Sequence, residues 1–382
     1  MRVLHVIADL PQGGAESVLY RLILSSPTDI EHVVVSMMGA SYFGPKLSAA
    51  GVKVHTLENP RGRLTIRGVL KLRQLIVDTR PDVVQTWMYH ADLIGGLVAR
   101  WVGIQSVVWG IRASGLDSEQ SSFSARVSAR ACALLSRWIP AAIVCCSERA
   151  AVAHQAMGYC EEKFTVIPNG YDLSQFTPDT ETRQRLRKEW YIQPDQILLG
   201  MVARWDPQKD HNNLLRALAL LKAHGAIFRC ALVGAGVNWD NTILVRNVRR
   251  QELTDQIILA GPRDDIPSVM NALDLHILSS AYGEAFPNVV AEAMACGTPC
   301  LVTDVGDAAL IVGTSGWIVP PQDAPALAQE IQAALAVLVA EGRRLLGQNS
   351  RMRIEENFSL EKMVETYHGL WRTVVAKIRK GR

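Results

Sequence analysis

Residues 273–304, LDLHILSSAYGEAFPNVVAEAMACGTPCLVTD, contain a strand, a loop, a helix and a second strand in one continuous stretch. Pro287 is typical of the first helical turn, where a missing N–H costs little, and Gly297 is typical of the residue that ends a helix. The pattern therefore predicts a helix from about Pro287 to Cys296, with the apolar runs LDLHIL and PCLVTD as flanking strands. Such a β-loop-α-β unit belongs to a parallel sheet, and open parallel sheets bind ligands outside the carboxyl ends of their strands.

Two carboxylates, Glu284 and Glu292, lie in this otherwise mostly apolar stretch. One continuous helix would separate them by about 12 Å along its axis and about 80° around it, from 1.5 Å and about 100° per residue. They could not then share a proton or a metal ion. With the helix beginning at Pro287, we expect Glu284 in the loop and Glu292 about a turn and a half inside the helix, both near the carboxyl edge of the sheet.

Apolar runs of strand length alternate with amphipathic segments almost to the end of the chain. This alternation predicts an α/β protein with two doubly wound parallel sheets, and 382 residues suit two domains of about 170 to 190 residues each. The predicted strands are RVLHVIA, HVVVSMM, DVVQTW, SVVWGI, AAIVCCS, ILLGMVAR, FRCALVG, IILAG, LDLHILS and TPCLVTD.

A polar segment with many turn residues, 169–196, is predicted as the linker between the domains. It leaves a first domain over residues 1–175 and a second domain over residues 190–358. From Ser359 onward apolar residues recur at helical spacing, so we expect a long amphipathic helix over residues 359–382.

The composition argues against several classes of protein. A net charge of +3 is too small to indicate a nucleic-acid binder, and seven cysteines without a CxxC pair are typical of buried thiols in a reducing compartment. A predicted strand begins within two residues of the start, so no signal peptide is expected. The stretch CALLSRWIPAAIVCC is too short to span a membrane and is interrupted by Arg137 and Pro140. We therefore predict a cytoplasmic protein, either soluble or peripheral at the inner face of the cytoplasmic membrane.

Two glycine loops follow predicted strands. Gly13 and Gly14 stand at the start of a helix, whose free N–H groups favour an anion; a tight turn without a ligand is the alternative. Gly234 and Gly236 match the first two glycines of a dinucleotide fingerprint, but Trp239 stands at the third position. Because neither loop completes the fingerprint, an NAD-dependent dehydrogenase is disfavoured. The second loop is predicted only to pass near a nucleotide.

Two cations, Arg204 and Lys209, lie five residues apart in the loop after the strand ILLGMVAR, with a helix beginning near His211. A guanidinium can hold two oxygens and an ammonium acts as a point charge, so the pair suits a diphosphate. The alternative is a pair of solvated surface charges beside Asp206 and Asp210.

His90 follows the strand DVVQTW, at the sheet edge where a site is expected, although a single histidine is more often structural. The chain has no D-x-D pair, which is the usual metal grip on a nucleotide diphosphate. It also has no G-x-S-x-G elbow and no GKS or GKT loop, which argues against a hydrolase triad and a P-loop.

Taken together, five motifs in order resemble the retaining glycosyltransferases of family 4, which have the GT-B fold. They are GGAE at 13–16, VIPNGYD at 166–172, ARWDPQKD at 203–210, LVGAG at 232–236 and EAFPNVVAEAMACGTP at 284–299, which contains the Glu-x7-Glu motif of that family. The resemblance covers nearly the whole chain. It implies two Rossmann-like domains facing a central cleft and a C-terminal helix that crosses back to the N-terminal domain. The first domain would bind the acceptor and the second the nucleotide-sugar donor.

The resemblance also implies a role for each candidate residue. Glu292 would accept hydrogen bonds from the ribose, Glu284 would meet the transferred sugar, and His90 would lie near the anomeric carbon. Neither Glu284 nor Lys209 is expected at a core position. The implied catalytic residues are His90 and Glu284, and the implied donor-binding residues are Gly13, Gly14, Arg204, Lys209, Gly234, Gly236, Phe286, Pro287, Asn288, Val289 and Glu292.

The implied reaction moves a sugar, with retention, from a UDP- or GDP-sugar to a glycan or lipid-linked acceptor of a surface polysaccharide. Negative charge develops on the leaving diphosphate, where fixed cations act, so neither a metal nor another cofactor is expected. Glu284 and Glu292 are not expected to face each other across the 5 to 5.5 Å or so of a retaining glycosidase, which favours front-face substitution. An epimerase or hydrolase of the same fold, or a non-catalytic sugar-nucleotide-binding protein, is the alternative.

A basic segment, PRGRLTIRGVLKLRQLI at 60–76, has no acid before Asp78. In an ordinary surface helix its leucines and isoleucines would pack on the first sheet. Alternatively, its cations contact anionic lipid. The cations of this predicted membrane patch are Arg61, Arg63, Arg67, Lys71 and Arg73.

Overall fold

The computed structural model describes residues 1–60, 65–113 and 123–380. It divides into two units: unit 1 comprises Met1–Gly170 and Leu360–Arg382, and unit 2 comprises Tyr171–Ser359. None of the described helices is long and apolar enough to cross a membrane.

Unit 1 is built on seven parallel strands in the order β3-β2-β1-β4-β5-β6-β7. The three strands at its centre are completely buried or nearly so, because helices cover both faces of the sheet. The strands are β1 (Arg2–Ile7), β2 (Glu31–Ser36), β3 (Lys53–Thr56), β4 (Val83–Trp87), β5 (Val107–Ile111), β6 (Ala142–Cys145) and β7 (Phe164–Val166).

The helices of unit 1 form two layers. One layer packs α1 (Gly14–Leu24), α2 (Phe43–Ala49) and the C-terminal α15 (Leu360–Lys380) on one apolar cluster of the sheet. On the other cluster lie α3 (Ile66–Thr79), α4 (Tyr89–Trp101), α5 (Phe123–Leu135) and α6 (Glu148–Ala156). The C-terminal helix is anchored by Tyr367 and Trp371, both fully buried, and the Trp371 indole donates to Gln85 Oε1 over 3.0 Å.

Unit 2 has six parallel strands in the order β10-β9-β8-β11-β12-β13. They are β8 (Leu198–Val202), β9 (Arg229–Val233), β10 (Ile257–Gly261), β11 (Leu275–Leu278), β12 (Cys300–Thr303) and β13 (Trp317–Val319). The helices are α7 (Thr180–Glu189), α8 (His211–Ala223), α9 (Thr242–Arg250), α10 (Ile266–Ala272), α11 (Asn288–Ala295), α12 (Ala308–Val312), α13 (Ala324–Glu341) and α14 (Arg343–Asn357).

These sheets confirm the predicted class of two Rossmann-like, doubly wound domains, with the C-terminal helix returning to the first. In each unit the strand order reverses at one point, between β1 and β4 in unit 1 and between β8 and β11 in unit 2. Ligands of open α/β sheets bind at such switch points, outside the carboxyl ends of the strands. The loops after these four strands are therefore where a site is expected.

The ten strands predicted from the sequence are all present, and three further strands were not predicted. Those three, β3, β7 and β13, lie at sheet edges and are mostly half-buried, so they lack the continuous apolar run that marks a central strand. The predicted helix at 287–296 is α11, with Pro287 as its N-cap and Gly297 beyond its end at φ +69°.

The polar segment 169–196, predicted as a linker, is mostly a structured part of unit 2, so the second unit begins at Tyr171 rather than near residue 190. Its helix, α7, is held by two arginines that bind one buried carboxylate: Arg183 lies 2.5 Å from Asp274 Oδ1, and Arg187 lies 3.1 Å from Asp274 Oδ2. The linker was predicted from the polarity of this segment. Two of its polar residues, Arg183 and Arg187, instead form ion pairs within unit 2.

Candidate active site

The loop after β8 is shaped by two aspartates that cap consecutive short elements. Asp206 accepts a hydrogen bond from the Gln208 backbone N–H over 2.9 Å and begins the 3₁₀ turn Pro207–Lys209. Asp210, at φ +45°, accepts from the Asn213 backbone N–H over 3.1 Å and caps α8. Lys209 is therefore held immediately before a helix N-terminus.

Lys209 forms an ion pair with Glu284, which lies in the loop after β11. The two side chains are only 12% and 8% exposed, and Ser280 Oγ donates to the same carboxylate oxygen, Oε1, over 2.6 Å. The expectation that neither residue occupies a core position is wrong for Glu284, which is buried, whereas Lys209 is half-buried. The structure brings these two candidates together, and the buried charges compensate each other because the pair is close and hydrogen-bonded.

Arg204 lies in the same loop but is much more exposed, with 56% of its side chain accessible. Its guanidinium donates to Asp206 over 3.1 Å and to the Gln208 side-chain oxygen over 3.1 Å. The backbone carbonyl of Gln208 accepts a hydrogen bond from the Ala281 backbone N–H over 2.8 Å, and this bond joins the β8 loop to the β11 loop. Arg204 is therefore positioned along the loop while its charge stays accessible to a ligand.

The second glycine loop supports the β8 loop by close backbone approach. Gly234 has φ +152°, and a Cβ on it would lie 2.2 Å from the Ala203 carbonyl oxygen. Gly236 has φ +74°, and a Cβ there would lie 3.1 Å from the Trp205 Cβ. These glycines are required by the packing of one loop on another, a reason independent of the predicted nucleotide.

The β11 loop is supported from the other side by residues that the sequence did not single out. A Cβ on Gly306, at φ +57°, would lie 2.0 Å from the Glu284 carbonyl oxygen. The Asp307 backbone N–H donates to the Ala285 carbonyl over 3.0 Å. The signal for Gly306 was available, because it follows the strand β12 at the same sheet edge.

The four implied donor-binding residues from Phe286 to Val289 lie at and just before the start of α11 and are largely committed to the fold. Phe286 is buried with its ring centroid 5.4 Å from that of Phe358, and Asn288 Oδ1 accepts from the Tyr171 hydroxyl over 2.7 Å. Pro287 is the N-cap, and Val289 is half-buried in the first turn. What this segment can offer a ligand is its backbone at a helix N-terminus.

Glu292 lies inside α11, on its half-buried side, as expected. Its backbone carbonyl accepts from the Cys296 N–H over 3.2 Å at the end of the helix. The two glutamates of the motif therefore differ in setting: one is buried on a lysine in a loop, and the other projects from the middle of a short helix.

In unit 1, the first glycine loop precedes α1. Gly13 is the N-cap, and a Cβ on it would lie 2.3 Å from a carboxylate oxygen of Glu16, which folds back over the helix start. Burial raises the pKa of Glu16 above its usual value. Glu16 is the acid of the first turn of α1, and Gly14 is the exposed first residue of the helix.

His90 is the second residue of α4, after Met88, whose φ of +73° is unusual for a residue with a side chain. The ring is half-buried, and burial lowers the pKa of His90 below its usual value, so the imidazole is neutral at pH 7. The turn that presents it is fixed by the Met88 N–H, which donates to the Gly110 carbonyl over 2.8 Å.

Asp92, two residues beyond His90, was not singled out by the sequence. It is fully buried; Thr86 Oγ1 donates to its Oδ1 over 2.5 Å, and the Gly110 N–H donates over 3.2 Å. Among the described residues, none pairs with its Oδ2. Burial raises the pKa of Asp92 to about 8, so the carboxyl is mostly protonated at pH 7.

The described part of the chain contains no group of three or more His, Cys, Asp or Glu side chains placed to hold a metal ion. Of the predicted membrane patch, Arg67, Lys71 and Arg73 are exposed on α3. Arg61 and Arg63 fall outside the described residues.

Two family models match the chain. Residues 12–175 match Glycosyltransferase Family 4, and residues 196–336 match Glycosyl transferases group 1. Each match covers most of one of the two sheets, and together they leave only the first residues, a short junction and the C-terminal helices unmatched.

Curated relatives and solved structures agree with these matches. The chain is 26% identical over 320 residues to the putative glycosyltransferase EpsF of Bacillus subtilis, covering 79% of each chain. It is 24% identical over 317 residues to the Escherichia coli UDP-Gal:alpha-D-GlcNAc-diphosphoundecaprenol alpha-1,3-galactosyltransferase, covering 80% of this chain and 79% of the relative. Anabaena HepE, solved in complex with UDP, superposes with a TM-score of 0.85 at 21% identity, over 98% of this chain and all of the other. This chain is a glycosyltransferase of the GT-B fold, with a family 4 domain in its first half and a group 1 domain in its second.

Proposed function

We propose that the protein is a retaining hexosyl- or N-acetylhexosaminyltransferase that uses a nucleotide-diphosphate sugar as donor. The observation that carries the proposal is the cluster of Lys209, Glu284 and Ser280 at the switch point of unit 2. The names of the relatives support a UDP-sugar: one is a UDP-galactose-dependent galactosyltransferase, and HepE has been solved with UDP and with UDP-glucose.

In this proposal the donor diphosphate lies against Arg204, Lys209 and the N-terminus of α11. Arg204 is exposed and supplies two oriented donors, while Lys209 supplies a charge that the fold already holds in place. Glu284 contacts the hydroxyls of the transferred sugar, and Glu292 contacts the ribose. Gly13 and Gly14, at the start of α1, are also assigned to donor binding.

The chemistry follows from where charge develops. The bond between the anomeric carbon and the distal phosphate oxygen breaks, that oxygen takes the electron pair, and the acceptor hydroxyl bonds to the same face of the anomeric carbon. The leaving phosphate oxygen takes the proton of the acceptor hydroxyl. Arg204 and Lys209 stabilise the diphosphate as its charge grows, which is the role that a divalent cation has in other transferases.

His90 takes part as a neutral imidazole. Because burial keeps its pKa low, it can donate one hydrogen bond and accept another from the sugar without adding positive charge beside the forming oxocarbenium-like centre. A protonated histidine there would oppose the charge that develops on the anomeric carbon.

We propose a glycan or lipid-linked acceptor and a role in making a surface polysaccharide, such as lipopolysaccharide O-antigen, capsule or exopolysaccharide. The relatives support this, since one acts on a diphosphoundecaprenol-linked sugar and another is named for colanic acid biosynthesis. The corresponding location is the cytoplasm, with peripheral contact at the inner face of the cytoplasmic membrane.

A donor screen followed by product analysis tests the proposal. The full-length protein is first heated with a panel of UDP- and GDP-sugars; the preferred donor at a hundred times its dissociation constant should stabilise the fold by about 2.7 kcal/mol. That donor is then incubated with lipid-linked and soluble glycan acceptors in excess EDTA. Transfer with retained anomeric configuration by NMR is expected.

Three results would contradict parts of the proposal separately. Inversion of the anomeric carbon would exclude the retaining mechanism. Complete loss of transfer in EDTA with recovery on adding magnesium would exclude metal independence. Release of free sugar at a rate that no acceptor changes would favour a sugar-nucleotide hydrolase of the same fold.

A further inference from the structure

The outward sides of α3, α4 and α5 in unit 1 expose large apolar side chains. Ile66 is 82% exposed, Leu70 52% and Leu134 75%. We call this surface the three-helix face. Its other exposed apolar members are Val77, Leu97, Trp101, Phe123 and Val127, with Trp138 just beyond α5.

The apolar core does not account for these side chains. In α3 the residues that pack on the sheet are Leu72 and Ile76, both almost completely buried, with Val69 and Leu75 partly buried beside them. The exposed residues form a second, outward stripe with spacing i, i+4, i+7 and i+11, and α5 has the same stripe with an arginine at the same place. The stripes are Ile66, Leu70, Arg73 and Val77 in α3, and Phe123, Val127, Arg130 and Leu134 in α5.

The two stripes belong to one continuous surface. Helix α3 packs beside α4, and α4 packs beside α5, all on the same cluster of the sheet. The Arg73 guanidinium lies 5.2 Å from the ring centroid of Trp101, so α3 and α4 also meet on the outward side. Leu97 and Trp101 of α4 lie one helical turn apart between the two stripes.

The charges on these helices are almost all positive. Their cations are Arg67, Lys71, Arg73, Arg100, Arg126 and Arg130. Among the described residues of the three helices the acids are Asp78, which accepts from the Gln74 amide over 2.8 Å, and Asp92, which is buried.

The opposite face of unit 1 shows that this composition is not general. On α15 the exposed positions mix acids and cations, for example Glu361 and Glu365 with Arg372 and Lys377. Within Leu360–Lys380 no large apolar side chain is exposed. The three-helix face therefore differs from α15, on the other side of the same sheet, in both hydrophobicity and charge.

We propose that the three-helix face docks on an anionic lipid bilayer. Apolar side chains that project singly among cations, with tryptophans among them, suit the headgroup region, where the apolar tips enter and the cations meet anionic lipids. A second copy of this chain is a poor partner, because a symmetric contact would oppose the cations of one face to the same cations of the other. Since no described helix spans a membrane, the contact is peripheral.

This inference extends the membrane contact proposed above from the basic segment to a surface of three helices with named apolar residues. It rests on the proposed function only for its purpose, which is access to a lipid-linked acceptor. Its test measures binding to vesicles and not transfer, so a failure of either proposal can be recognised without the other.

The test is sedimentation of the full-length protein with two kinds of vesicle. One contains phosphatidylcholine alone, and in the other about one-third of the lipid is phosphatidylglycerol. Binding to the anionic vesicles is expected, with weak binding to the neutral ones. Added salt should reduce the binding strongly, because screening shortens the reach of exposed charges. Equal binding to both vesicles, or none, would overturn the proposal.

Two triple variants separate the contributions. Changing Lys71, Arg73 and Arg130 to Gln should lower the partition coefficient on the order of 100-fold, from roughly a factor of five per cation near an anionic surface. Changing Leu70, Leu134 and Trp138 to Ser should lower binding at every salt concentration, because it removes the apolar insertion. Thermal melting confirms that each variant is folded.

Matched controls carry the same chemical changes elsewhere on the molecule. The charge control changes Arg372, Lys377 and Lys380 of α15 to Gln, and the apolar control changes Ile227, Val339 and Tyr191 of unit 2 to Ser, all of them exposed. Both controls should bind as the wild type does. Loss of binding in a control equal to that of its test variant would overturn the proposal, as would a lipid-free dimer that the apolar test variant alone dissociates.

Discussion

The two switch points of this chain have the same topology, but one carries charged side chains and the other carries uncharged ones. In unit 2, the loops after β8 and β11 bring together a lysine and a glutamate that are both nearly buried. In unit 1, the loops after β1 and β4 carry two glycines, a neutral histidine and, behind it, the carboxyl of Asp92. One site is built from paired charges and the other from groups that burial keeps uncharged.

A comparison of Glu284 with Asp92 shows why one switch point is charged and the other is not. Each carboxyl is less than a tenth exposed. Glu284 has an ammonium and a hydroxyl on one oxygen, whereas the donors that the described residues offer Asp92, from Thr86 and Gly110, are both neutral. A buried carboxyl stays ionised when a cation compensates it and takes up a proton when none does. Topology fixes where the carboxyls lie, and the two differ in whether a cation lies beside them: Lys209 pairs with Glu284, and burial raises the pKa of Asp92.

The largest expected effect comes from breaking the charged pair. Lys209→Met alone leaves a buried, uncompensated carboxylate, so we expect a loss of roughly 3 to 5 kcal/mol in the free energy of unfolding. It should also lower kcat/KM by about 10² to 10³, as the loss of one preorganised donor does. The measurements are urea denaturation and initial rates with the preferred donor.

A compensated double variant separates the two effects. Lys209→Met with Glu284→Gln removes both charges, so most of the stability should return while transfer stays low. Lys222→Met is the matched control, because Lys222 is half-buried in the last turn of α8 and donates to a backbone carbonyl, that of Glu252. Full activity in the double variant would show that the pair is only structural.

A smaller effect is expected from the close approach that supports the charged switch point. Gly234→Ala should reduce the free energy of unfolding by about 2 to 4 kcal/mol, because its Cβ would meet the Ala203 carbonyl at a φ that side chains rarely adopt. The control is Gly225→Ala, where φ is +81° but nothing lies within 4 Å. Equal losses would mean that backbone strain acts alone and that the contact with Ala203 contributes nothing.

At the neutral switch point, His90→Ala should lower kcat by about 10- to 100-fold, which corresponds to the loss of one hydrogen bond of about 1.5 to 3 kcal/mol to a group that gains charge in the transition state. The dissociation constant of the nucleoside diphosphate should stay within about twofold, since the proposed diphosphate contacts come from unit 2. Rates and calorimetric titrations with UDP and GDP check this. Normal turnover with weakened nucleotide binding in this variant would mean that His90 contacts the nucleotide rather than the sugar.

Much of the fold could be predicted from the sequence because central parallel strands are continuous apolar runs, and Pro287 and Gly297 mark the ends of α11. The edge strands β3, β7 and β13 were not predicted, because a half-buried strand has no continuous apolar run. For the site, the order of the motifs indicated which residues belong to it, but not which of them touch. The pairing of Lys209 with Glu284 joins residues 75 apart in the chain and depends on how two loops fold. Asp92 was missed because the sequence around it does not show which groups surround the folded carboxyl, and among the described residues its hydrogen-bond donors are neutral.

The last effect concerns Asp92 and follows from its pKa. Burial raises the pKa from 3.8 to about 8. Between these values the unfolded chain releases the Asp92 proton and the folded chain keeps it, so the unfolded state binds fewer protons. The contribution of Asp92 to stability is therefore present below about pH 4, falls as pH rises towards 8, and changes no further above it. The slope is at most about 1.4 kcal/mol per pH unit.

Asn imitates the neutral acid and does not titrate, so Asp92→Asn should lose this slope and gain stability relative to the wild type with each step from pH 5 to pH 8. Urea denaturation of both proteins across that range measures the difference, with the exposed Asp78→Asn as control. If the Asp92→Asn and wild-type curves run parallel, the carboxyl is already ionised at neutral pH, and the contrast between a charged and a neutral switch point does not hold.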